Sequence, residues 1–474
     1  MGGGAGRGPD VSMGEAMKTS HPSSAPSGAP WSTVLGFLLS VAVRGDFQGS
    51  THLVELETDA IKYSKETTTG PVAELIRKIE SGKATLEWDA KLGWLPSFQK
   101  ALGVPAASQT LVFSKTSLQR EHIHPGNPRA IFFNDDVYLG YIPGAPVVEV
   151  SEVDPRLGGV FYVVEQKPTD KPVIKRIDNC LECHASSRTM GVPGHLFRSV
   201  QTDRQGIVDL ATGIEPVDHR TPFADRWGGW YVTGTHGPVP HRGNRMGDDF
   251  AKAKSNPSIG GNKTRLDDYF DPTRYPARGS DIVALMVLGH QVHLHNFIAR
   301  VHYMAAQHLA AYGHVDYLKS PVEGLVQHLL FAGEVPLAHP MQGDPEFVRG
   351  FEAAGPRDRK GRSLRQLDLQ RHLFRHPCSF LIHSEAFRRL PAPLKQKIYR
   401  RMAEVLSGAD LSEPFRRLSS ADREAVRDIL TETLEDLPPD WKRLVEPKAV
   451  PATGPTTDLP GTTPPGAPLS DGPK

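Results

Sequence analysis

Between positions 109 and 166 the chain carries five short stretches, QTLVFS, RAIFFN, DVYLGYI, PVVEVSEV and GVFYVVEQ, dense in β-branched and aromatic residues. Asn-Asp, Pro-Gly and Pro-Arg-Leu-Gly turn signals separate them. Short strands joined by tight turns pair with their neighbours antiparallel, whereas a βαβ array needs a helical crossover at each step. The segment is therefore expected to be an antiparallel sheet. GPVAELIRKIESGK before it reads as an amphipathic helix ending near Gly82, with Val72, Leu75, Ile76 and Ile79 on one face. Asn134, Asp135 and Asp136 fall between two strands and read first as a turn, with paired carboxylates for acid/base work as the alternative.

The rest divides by composition. Residues 1–46 are a Gly/Pro/Ser/Ala-rich segment ending in the apolar run WSTVLGFLLSVAV, residues 31–43. That run falls short of the roughly 20 residues a membrane helix needs but suits the core of a secretory signal. Positive charge before it is limited to Arg7 and Lys18, and Met17 followed by Lys18 makes a better start than Met1. Residues 47–167 form an α+β domain, and 168–277 a Gly-, His- and Arg-rich segment with little periodicity. Residues 278–446 are helical, and the Pro/Thr/Gly-rich tail 447–474 is expected to be disordered. In the helical part, residues 280–313 begin with Ser-Asp, repeat apolar residues at helical spacing and stop at Gly313. Residues 392–408 and 419–437 give two further helices. No segment after position 43 reads as a transmembrane helix, and the fold class expected is α+β with a helical C-terminal domain. A formal charge of +1 argues against nucleic acid or an anionic membrane as a partner.

Only three cysteines occur among 474 residues, and two of them stand in Cys180-Leu181-Glu182-Cys183-His184. Cys-x-x-Cys-His is the pattern of covalent c-type haem attachment. Two thiols at this spacing add across the two vinyl groups on one porphyrin edge, and the following imidazole binds the iron as proximal ligand. Zinc is a weaker reading, since no second Cys-x-x-Cys exists and only Cys378 remains, which reads as a buried free thiol. A thioredoxin-like pair belongs after a βαβ strand, which this context lacks. One covalently attached haem c is therefore expected, held by Cys180, Cys183 and His184. Attachment needs reduced thiols delivered outside the inner membrane, so a periplasmic or other extracytoplasmic location and an N-terminal export signal go with it.

The distal iron ligand is open among His236, His195 and Met246, with His241 in the same stretch. Met190 lies six residues past His184, too near to round the porphyrin edge. A thioether ligand would raise the reduction potential, and an open position would permit chemistry on a small molecule. In RWGGWYVTGTHG, residues 226–237, Trp227, Trp230 and Tyr231 either wall the porphyrin or pack into a core. Arg226 and Arg198 are candidate partners for haem propionates. His290 with His293, and His295 with His302, share faces of the long helix. They read first as structural histidines, then as haem-pocket or metal-binding groups, and no His-Glu-x-x-His accompanies them.

Together THLVELETDAIKYS, QTLVFSKTSLQRE, PRAIFFNDDVYLGYI, CLECHASSRTMGVPGHLFRSV, RWGGWYVTGTHG, ALMVLGHQVHLHNFIAR and HPCSFLIHSEAFRRLP resemble a bacterial family of planctomycete and proteobacterial type. Its members are described as cytochrome c domain-containing proteins without an assigned activity. The resemblance spans residues 47 to 441 and implies haem c and electron transfer, with Cys180 and Cys183 as attachment thiols and His184 as axial ligand. Where that family reads His-Met-Gly-Asn, this chain has His241-Arg242-Gly243-Asn244, which shifts weight to His236 or His195 as distal ligand.

The function expected is that of a monohaem c-type cytochrome in extracytoplasmic electron transfer, partnered by a redox protein or a small-molecule donor or acceptor. The alternatives are a haem c oxidoreductase with an open or weakly held sixth position and a haem-based sensor. A simple carrier needs only about 100 residues, which favours the enzyme among these alternatives. The sequence assigns no catalytic residue.

Overall fold

The computed structural model describes residues 54–448, so the apolar run at 31–43 and the tail from 449 lie outside the described residues. All five strand-like stretches are strands: β1 (Thr110–Val112), β2 (Arg129–Phe133), β3 (Val137–Tyr141), β4 (Val147–Asp154) and β5 (Gly158–Glu165). A further strand, β6 (Ile174–Arg176), extends them into a six-stranded antiparallel meander of order β1-β2-β3-β4-β5-β6. The chain is thus mixed α+β with antiparallel strands and a helical C-terminal region. The Asn-Asp-Asp segment is the expected turn: the Asn134 side-chain oxygen accepts from the amides of Asp136 and Val137, 3.1 and 2.9 Å away.

Register decides what each sheet face does, because side chains alternate along a strand. One face presents Ala130, Phe132, Leu139, Val148, Val150, Val160, Tyr162 and Val164, all buried. These pack with Val72, Leu75 and Ile79 of helix Pro71–Glu80 and with Leu95 and Phe98 of helix Leu95–Leu102. On the other face one row is Phe133, Tyr138, Ser151 and Phe161, and the next is Ile131, Gly140, Glu149 and Val163. Phe133, Tyr138 and Val153 of this face join the helical core, while Ile131, Glu149 and Val163 stay partly exposed. Half of that face is therefore covered by the helical region and half is open.

The cover is a 31-residue helix, Ile282–Tyr312, capped by the Asp281 carboxylate on the Ala284 amide at 2.8 Å and ended by Gly313 at φ 73°. By length and hydropathy it could cross a membrane, but 94% of its most apolar window is buried in the protein. An apolar stripe on every side is what a central core helix needs. Helices Lys319–Leu329, Ala392–Leu406 and Ser420–Thr433 contribute Leu325, Leu329, Ile398, Met402 and Ile429 to the same core, and Ser419 with Asp422 closes a capping box on the last. Residues from all three segments drawn in the sequence share this core, Phe133 and Phe197 among them.

The glycine-rich stretch 226–237 runs along the free edge of β1. The Phe113 amide donates to the Gly229 carbonyl (2.9 Å) and the Tyr231 amide to the Leu111 carbonyl (2.9 Å). Trp227, Trp230 and Tyr231 are buried and pack on Phe223, Phe197 and Phe113 respectively. Of the two roles open to these rings, the structure gives them the core.

Candidate functional site

Strand β6 ends at Arg176, and Cys180 caps a single helical turn, Leu181–His184. Cys180 is half-buried, Cys183 is exposed, and both are free thiols. Burial pushes the Cys180 thiol up to about 11, the reverse of the lowered pKa that a disulfide-exchange pair requires. Among the described residues, the clusters able to hold a metal ion include neither cysteine, and Cys378 is buried in the helical core.

The His184 ring is fixed from behind. Its Nδ1 lies 2.8 Å from the Gly194 carbonyl, and the Gly194 amide donates back to the His184 carbonyl at 2.8 Å. A carbonyl only accepts, so the ring proton sits on Nδ1 and Nε2 carries a lone pair. No hydrogen bond to Nε2 occurs among the described residues. Burial lowers the pKa of His184 to about 4, which keeps that lone pair available at neutral pH. Phe161 of β5 packs against the ring at 4.7 Å. Nδ1 bonded to a carbonyl and Nε2 free is the state in which an imidazole ligates a metal.

Gly194 can take this position only without a Cβ, since one would collide with the Asn296 side-chain oxygen. Asn296, on the long helix, clamps the next residue: its oxygen accepts from the His195 amide (2.9 Å) and its NH2 donates to the His195 carbonyl (2.8 Å). Removing the clamp strands two buried backbone groups, each costing about 1–3 kcal/mol. Asn296→Ala is expected to lower unfolding free energy by about 2–4 kcal/mol, measured by chemical denaturation of the purified protein. An unchanged midpoint would remove Asn296 from the support of His184.

His195 is buried beside His184, with ring centroids 6.4 Å apart, and packs on Tyr138 at 4.2 Å. Its Nε2 lies 2.9 Å from Ser151 Oγ, and its Nδ1 is buried without a partner. Of the sequence-derived distal candidates, His195 is the one whose ring stands next to His184, and Nδ1 is its unpartnered nitrogen.

His236 packs on Phe223 and His241 and accepts from the Asn262 amide at 3.1 Å. Met246 is buried in the core under the sheet, a core that Val192 and the partly buried Leu181 also join. Arg226, a candidate for propionates, is buried, with its guanidinium on the Thr221 and His219 carbonyls. Arg198, the other candidate for propionates, is partly buried at the start of the strand Arg198–Val200. Arg129, paired with Glu149 on the open half of the sheet, feels both Cys180 and His184, and the sequence reading missed it. Its signal was position: β2 Arg129 shares a face with Ile131, which stays partly open.

Comparison with protein-family models, curated proteins and solved structures finds no match. The arrangement itself therefore carries what can be said of the chemistry. Two free thiols, a tautomer-fixed imidazole and two arginines border a partly apolar, open patch of sheet, and these residues fit a covalently attached haem.

Proposed function

We propose that this protein is a monohaem c-type cytochrome acting in electron transfer outside the cytoplasm, of the cytochrome c domain-containing type it resembles. The observation that supports this best is the state of His184, whose Nδ1 is held by Gly194 while Nε2 is unpartnered next to Cys180 and Cys183. In this reading the two thiols anchor the porphyrin by thioether bonds and His184 is the fifth iron ligand. Bound haem supplies a reversible one-electron change at iron. Phe161 and Gly194 hold the imidazole still, and Arg129 and Arg198 offset the propionate charge. The exposed position of Cys183 and Glu182 leaves one edge accessible to a redox protein or a small-molecule donor or acceptor. Export by the segment around residues 31–43 belongs to the same reading, because the thiols must meet haem in an extracytoplasmic compartment.

One observation favours a second reading. His236 is engaged by Phe223, His241 and the Asn262 amide, and His195 Nε2 by Ser151, which supports a sixth position left to a small molecule. The protein would then be a haem c oxidoreductase. Optical and spin-resonance spectra of the haem-loaded chain, with and without carbon monoxide or cyanide, separate the two. Low-spin iron indifferent to both ligands supports the carrier; high-spin iron that binds them supports the oxidoreductase. A chain that matures without haem in a host equipped for haem c attachment rules out both.

A further inference from the structure

A second constellation lies on the far side of the long helix, and haem attachment does not account for it. His290 and His293 project from that helix, His328 from helix Lys319–Leu329, and Asp218 and His219 from the loop after the strand Ile214–Pro216. The ligand atoms of His219, His290 and His328 all lie within 4.8 Å of one another, and so do those of Asp218, His293 and His328. His219, His290 and His328 are buried, at 2%, 0% and 3% exposure.

The hydrogen bonds around these rings fix where the lone pairs point. His219 Nε2 faces the Ala332 carbonyl at 3.2 Å, and a carbonyl only accepts, so His219 is protonated there and bare at Nδ1. That bare Nδ1 is 3.2 Å from Nδ1 of His290. Ser379 Oγ, 2.8 Å from His290 Nε2, can accept its proton and leave His290 bare at Nδ1 as well. Two nitrogens bound tetrahedrally at metal–nitrogen distances of 2.0–2.1 Å stand about 3.3–3.4 Å apart, which the observed spacing matches.

His328 decides between a metal and a purely hydrogen-bonded cluster. A proton on His290 Nδ1, with the Ser379 hydroxyl donating to Nε2, would satisfy the first two rings without an ion. It would still leave both nitrogens of His328 buried with no partner. Buried polar groups without partners are rare and call for an explanation. The rings are locked in place: His290 stacks on Phe331 at 4.3 Å, and the His219 carbonyl accepts from the Val335 amide and Arg226. Beside them Asp218 is paired with Arg220 at 2.7 Å and lies 3.5 Å from His293.

We propose that His219, His290 and His328 bind a divalent transition-metal ion of the nitrogen-seeking class, zinc or copper, with Asp218 and His293 flanking it. Three imidazoles without a thiolate suit those ions and disfavour magnesium or calcium, which take oxygen ligands. The site does not depend on the haem reading.

The test uses the full purified chain, stripped with a chelator and titrated with zinc or copper(II) alone. One equivalent of added ion is expected, with imidazole outer-shell scattering at the zinc absorption edge and nitrogen hyperfine structure in the copper spin-resonance spectrum. His328→Leu should weaken uptake by roughly a hundredfold or more while the circular dichroism spectrum stays unchanged. Oxygen-only coordination, no stoichiometric uptake of either ion by folded wild-type chain, or undiminished affinity in His328→Leu overturns the proposal. Should His328→Leu fail to fold, the wild-type copper spectrum alone decides.

Discussion

Replacing Cys180 and Cys183 together by alanine is expected to abolish haem staining of the polypeptide after denaturing electrophoresis, a complete loss where the parent chain stains fully. Thioether bonds survive denaturant, whereas a haem held only by His184 is released when the fold opens. Single replacements should keep one link and stain, with the remaining vinyl group moving the reduced absorption band to longer wavelength. Half-buried Cys180 and exposed Cys183 differ in setting, so the two single variants should also differ in yield. Staining that persists in the double variant would overturn covalent attachment at this motif.

The second large effect concerns the iron itself. On the proposed reading, His184→Gly leaves both thiols in place, so haem should stay attached while its fifth ligand is lost. The expected result is loss of the parent visible and spin-resonance signature, restored by millimolar imidazole diffusing into the space the ring vacated. The geometry makes rescue plausible on chemical grounds, because the Gly194 carbonyl that orients His184 Nδ1 remains to orient a free imidazole. His195→Gln is the informative contrast. With its Nε2 on Ser151, a His195 that only packs beside His184 predicts a kept ligation spectrum and a shifted potential, whereas loss of the low-spin spectrum would make His195 the distal ligand. A spectrum unmoved in His184→Gly would dismiss His184 as ligand.

Local pattern made most of the scaffold legible. Alternation and turn chemistry gave the five strands β1–β5, and a Ser-Asp start with a glycine stop bounded the long helix to within two residues at each end. β6 escaped because three residues, Ile174 to Arg176, on a partly exposed edge hold no period to read. The thiols and His184 were legible because their spacing is chemistry confined to five consecutive positions. What surrounds them was not, since Arg129 and Asn296 reach the site only through sheet register and helix docking. Arg226 read as a candidate partner for haem propionates and is buried, for the same reason: nothing local reveals that two carbonyls await its guanidinium. The histidine cluster was half visible. His290 and His293 share a helix face, but His219 comes from an unperiodic loop and His328 from a different helix, and only tertiary packing unites them.

The bond between His184 and Gly194 has a consequence for how the protein is made. It closes a loop of ten residues, which a growing chain can form with little entropic cost. The Asn296 clamp over the same loop joins positions 101 residues apart and must wait for the long helix. On the proposed haem c reading, the thiols would therefore be accessible for attachment before the clamp closes over the segment, so that modification precedes locking.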